Sequence, residues 1–181
     1  MHELAAWVHT RVLQMRIALL LVLVAGAALA ADARGPWPWV LAASAALVLA
    51  CRLWDDLMDL PHDRLHAPQR ALVRSGRLGP FRAALGASLA LIVGAFAWQQ
   101  GWLRAIACLL LLGALAAVYR FTVSTGAHRA RRAALVLLKY PAFVLLLARA
   151  PFAPRALAAA ALLYALLLWH ERRDATTGTA P

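Results

Sequence analysis

The sequence predicts an all-α membrane protein: a polytopic transmembrane bundle of about six helices, one domain over residues 1–175, with both termini in the cytoplasm. Three observations lead there. Hydrophobic residues make up 64% of the 181 positions and charged ones only 15%, a balance that leaves a water-soluble chain of this size with more apolar surface than its core can hide. Apolar runs of roughly 20 residues, the length that crosses a hydrocarbon core about 30 Å thick, recur along the chain with no strand-like alternation beside them. Thirteen of the eighteen arginines, finally, fall between these runs and the other five lie near their ends.

The six spans cover approximately residues 12–31, 37–54, 81–99, 102–119, 133–148 and 153–169. The first follows Arg11 and Arg16 and ends Ala28-Leu29-Ala30-Ala31, which imitates a signal-peptide cleavage site. We read it as a retained helix, because only an uncleaved chain puts every strongly basic segment on one side. That side holds Arg11 and Arg16, then Arg52, Arg64, Arg70, Arg74, Arg77 and Arg82, then Arg120, Arg129, Arg131 and Arg132, then Arg172 and Arg173. The other holds Arg34, Arg104, Arg149 and Arg155. The positive-inside rule therefore assigns both termini and the segment after the second span to the cytoplasm, in a bacterial inner membrane. Loops on the opposite face are short, so spans one and two, three and four, and five and six form antiparallel hairpins. Six of the seven tryptophans lie near span ends, as interfacial anchors do, and Trp98 is similarly placed. Residues 176–181 read as a short disordered tail.

The net charge of +11 is accounted for by this topology and does not indicate nucleic acid, since the arginines follow no single face and no aromatic platform interleaves them. Cys51 and Cys108 lie within apolar spans, where they act as small hydrophobes and form neither a disulfide framework nor a metal site.

Four of the eight acidic residues stand within nine positions at the end of the second span: Asp55, Asp56, Asp59 and Asp63. On a helix, Asp56, Asp59 and Asp63 fall at i, i+3 and i+7, and Asp55 joins Asp59 at i+4, so the carboxylates are expected to converge. Like charges that close repel. A hard divalent cation such as Mg²⁺, bound through carboxylate oxygens and shared with a substrate phosphate, offsets that cost. Pro61 cannot continue the hydrogen-bond ladder and is expected to kink the turn before Asp63. The competing reading is a solvated surface cluster paired with Arg52, Arg64 and Arg70. His62 and His66 flank the string as polar loop residues.

This string resembles the first signature of the UbiA-type intramembrane prenyltransferase superfamily, Asn-Asp-x-x-Asp-x-x-x-Asp. Here it reads Asp55-Asp56-x-x-Asp59-x-x-x-Asp63, followed by Arg70 and by Ser75-Gly76-Arg77 where the family carries a basic stretch ending Ser-Gly-Arg. The resemblance covers roughly the first two thirds of the chain. It implies a helical bundle around a central cavity, in which the aspartates hold Mg²⁺ against the diphosphate of a prenyl diphosphate and the isoprenoid group passes to an acceptor. By that resemblance Asp56, Asp59 and Asp63 are catalytic and metal-binding, Asp55 takes the family's Asn position, and Arg64, Arg70, Arg77 and Tyr119 contact substrate. The family's second signature, Asp-x-x-x-Asp, is replaced by Glu171-Arg-Arg-Asp174, which stands either as a degenerate second metal site or as surface charge. Family members usually have nine helices, so a homodimer or a partner subunit would complete the set.

Lys139, inside the fifth span, leaves two readings open. An ionisable group at bilayer depth faces a polar partner, here the diphosphate, or it snorkels toward the headgroups. Pro141, two residues on, is placed to kink this span and open room for substrate. Two further functions compete with the transferase. One is a non-catalytic relative that binds an isoprenoid or a membrane partner. The other is a CDP-alcohol phosphatidyltransferase, which fits the length but requires a Gly-led aspartate pair that the sequence lacks.

Overall fold

A computed structural model describes residues 5, 7, 8, 15–66, 68–75, 77–124 and 134–177. These are helical throughout, apart from short connections and one isolated antiparallel bridge, Ala33 to Ala148. The helices are α1 (Met15–Ala30), α2 (Trp37–Met58), α3 (Leu60–His66), α4 (Ala71–Arg74), α5 (Gly79–Gln100), α6 (Trp102–Ser124), α7 (Lys139–Leu147) and α8 (Pro154–Thr177). A helical turn over 134–137 leads into α7. Two of these, Gly79–Gln100 and Trp102–Phe121, are long and apolar enough to cross a membrane.

Each hairpin expected from the short loops packs: α1 on α2, α5 on α6 and α7 on α8. The hairpins also join one another, through α2 on α5, α6 on α7 and α8 on α1, so the six longer helices contact in cyclic order, with α1 also touching α7. The main core lies inside this ring. It is built from Val40, Leu47, Val48 and Cys51 of α2, Phe96 of α5, Cys108 and Leu112 of α6, Phe143 and Leu147 of α7 and Leu163 of α8. A second, smaller cluster joins Trp7, Leu53, Leu60, Leu72 and Phe81 below α2.

The ends differ. At one end the connections 31–36 and 148–153 are knitted together: Arg34 N–H donates to Leu147 O at 2.7 Å and Arg149 N–H to Asp32 O at 2.9 Å. The Asp32 carboxylate accepts from Arg155 and lies 3.8 Å from Arg149. Gln100, ending α5, donates through Nε2 to Arg34 O at 2.6 Å. Arg104 of α6 donates to the carbonyls of Leu145 and Leu146, which belong to the last turn of α7 and have no partner within their own helix. The opposite end carries the acidic string.

Candidate functional site

The helix is interrupted at Asp59, two residues before Pro61: α2 closes at Met58 and α3 opens at Leu60. Asp59 N–H donates to Asp55 O at 2.9 Å and Asp63 N–H to Asp59 O at 2.9 Å, so the i to i−4 pattern continues from α2 into α3. Pro61 stands at the second residue of α3, where a missing N–H costs a helix least. The chain bends at Asp59, as expected ahead of the proline, while these two hydrogen bonds hold the aspartates close to helical phase.

The side chains nevertheless part. Asp55 extends the stripe Ser44, Val48 and Cys51, which faces the main core, whereas Asp56 and Asp63 continue the stripe Leu53 and Leu60, which faces the smaller cluster. About 100° of helical rotation separates Asp55 from Asp56. Asp55 receives Lys139 Nζ on both oxygens, at 2.8 and 2.7 Å, and the Tyr119 hydroxyl on Oδ1. Lys139 also donates to Tyr119 Oη at 3.2 Å and lies 5.2 Å from the centre of the Tyr140 ring. Lys139 is 3% exposed and Tyr119 2%. The lysine therefore does not snorkel: it turns inward to a carboxylate and two rings.

Asp56, 5% exposed, accepts from Trp7 Nε1 at 2.9 Å and lies 3.4 Å from Arg52 one turn before it. Asp63, also 5% exposed, pairs with Arg70. Hydrogen bonding to Asp63, backed by the nearby charges of Asp56 and Asp59, raises the affinity of the Arg70 guanidinium for its proton above the ordinary arginine value. Asp59 is half-buried. Arg64 and Arg77 are exposed. Glu171 is exposed near the end of α8, and the side chain of Asp174 falls outside the described residues, as do those of His62 and His66.

Of the expected site residues, Asp55, Tyr119 and Lys139 are thus brought together from α2, α6 and α7, and Asp63 is joined to Arg70. Sequence reasoning missed Trp7 and left Arg52 as a surface partner. The oxygen donors suit a hard cation in kind. Their arrangement does not: among the described residues no three His, Cys, Asp or Glu side chains come together as a metal-holding group. The residues as they stand do not fit Mg²⁺.

Searches for similar proteins returned no matching family model, no matching curated protein and no matching solved structure.

Proposed function

We propose that this chain is a short UbiA-like prenyltransferase, a polytopic membrane protein of six crossing helices that takes a prenyl diphosphate at the cytoplasmic end and passes its isoprenoid group to an acceptor. The observation that carries this reading is the buried Lys139 ammonium, held by Asp55 and Tyr119 where an apolar helix assembly meets a basic segment. Residues 52–82 contain six arginines against four aspartates. With Lys139 added, the surplus is positive and suits a multiply charged diphosphate, while the apolar interior suits the hydrocarbon tail. The outward residues of α5 and α6, among them Leu91, Trp98, Leu103 and Leu110, are exposed and face lipid in this reading.

In the reaction the C–O bond to the diphosphate breaks, its electron pair leaving with the bridging oxygen. The allylic carbon then bonds to a nucleophilic atom of the acceptor, which gives up its proton. In this reading Lys139 holds the departing oxygens, and the apolar helices around it keep water from the cation. No step is routed through a metal.

A second reading has its own support. Asp55, Asp56 and Asp63 are already matched by donors of the chain itself, as expected of a non-catalytic relative that binds an isoprenoid without turning it over. The test is equilibrium binding of a labelled prenyl diphosphate series to the full chain in detergent, with Lys139→Gln and Asp59→Asn alongside. The transferase reading expects saturable binding with a preferred chain length, weakened about tenfold or more in Lys139→Gln by loss of a charge-assisted contact. Absence of binding at every chain length, or binding indifferent to both substitutions, contradicts it. Saturable binding with no acceptor prenylated in membrane extracts selects the second reading.

A further inference from the structure

The acidic string invites a divalent ion, yet the carboxylates of Asp55, Asp56 and Asp63 are met from within the chain. Both oxygens of Asp55 lie on the Lys139 ammonium; Asp56 has Trp7 and Arg52; Asp63 has Arg70. An ammonium is a compact point charge, and this one is enclosed: the Lys139 side chain is 2% exposed against 21% for Asp55. To coordinate a metal, Asp55 must release Lys139 and strand a buried cation, which is strongly unfavourable. Mg²⁺ in turn gives up its hydration water reluctantly and demands near-octahedral oxygens, and the divergence of Asp55 from Asp56 and Asp63 denies it them.

We infer that Lys139 is the resident cation of this site, standing against Asp55 in the place of a divalent ion, so that the ligand-free protein has no tight divalent-cation site. The inference concerns the protein alone with bare metal, so it stands or falls separately from prenyl diphosphate binding.

The experiment is a Mn²⁺ titration of the purified full-length chain in detergent, without prenyl diphosphate, read by the electron paramagnetic resonance signal of free Mn²⁺. Wild type is expected to remove no stoichiometric, saturable Mn²⁺. A saturable, stoichiometric Mn²⁺ site in the folded wild-type protein overturns the inference, and its loss in Asp55→Asn places it at the Asp55 carboxylate.

Discussion

Asp55 and Lys139 are 84 positions apart in the chain, and each explains the other. The lysine tolerates 3% exposure because a carboxylate and the Tyr119 hydroxyl replace its water. Asp55 tolerates its place at the end of the core-facing stripe of α2 because the lysine arrives from α7. Part of this was legible in the sequence: the spacing Ser44, Val48, Cys51, Asp55 runs one helical face into a carboxylate, and a lysine in an apolar span demands a partner. Which acid it would choose was not, since that depends on how α2, α6 and α7 pack. The convergence of all four aspartates failed for a local reason, the 100° step from Asp55 to Asp56, which sends neighbouring acids to different clusters. The pairing predicts asymmetric costs. Asp55→Asn strands the ammonium and should destabilise the protein by about 3–5 kcal/mol. The double substitution Lys139→Met/Asp55→Leu should cost less than either single change, as measured by thermal unfolding in detergent. Single changes that simply add would remove the ion pair from the account.

The six apolar runs overlap α1, α2, α5, α6, the helical segment ending in α7, and α8, of which α5 and α6 are long and apolar enough to cross a membrane, and boundaries moved where charge was taken as a stop. The second span was ended at residue 54, yet α2 runs to Met58 and the chain bends at Asp59 before Pro61 enters the first turn of α3, where a proline removes an N–H that has no intrahelical partner. Arg104 and Gly35 show what the apolar pattern cannot reveal. Arg104, drawn in the sequence as one of four arginines on the sparse side, caps α7 from α6 through the carbonyls of Leu145 and Leu146. Arg104→Met should lower stability by about 1.5–3 kcal/mol, the range for hydrogen bonds to a charged group, with Arg104→Lys recovering part of it. An unchanged melting temperature in Arg104→Met would rule out the cap. Gly35 has φ +110°, and a Cβ there would meet Trp39 Cδ1 at 2.8 Å. Gly35→Ala should therefore cost more than about 1 kcal/mol, whereas Gly86→Ala, with nothing within 4 Å, should be neutral or slightly stabilising on a helix.

At the scale of the whole molecule, the cyclic order of helix contacts leaves two unlike ends. One is closed by Asp32, Arg34, Gln100, Arg104, Arg149 and Arg155 through backbone and side-chain bonds; the other carries the aspartates and the basic segment. Composition pointed to helices in lipid, and short loops pointed to hairpins. The neighbours between hairpins were not legible, because no sequence spacing encodes which apolar faces meet. The proposed orientation puts the aspartate end and both termini in the cytoplasm, so a green fluorescent protein fused to the C-terminus should fluoresce and an alkaline phosphatase fusion there should be inactive; the reverse pattern would invert the topology. The central claim is that the buried ion pair marks the place where a prenyl diphosphate binds. Its most direct test is photocrosslinking with a prenyl diphosphate carrying the reactive group next to the diphosphate, mapped by mass spectrometry. Label on peptides containing Asp55, Tyr119 or Lys139, competed by unlabelled ligand, is the predicted result. Label confined to the outward residues of α5 and α6, such as Leu103 and Leu110, or label that unlabelled ligand does not compete, would contradict the account.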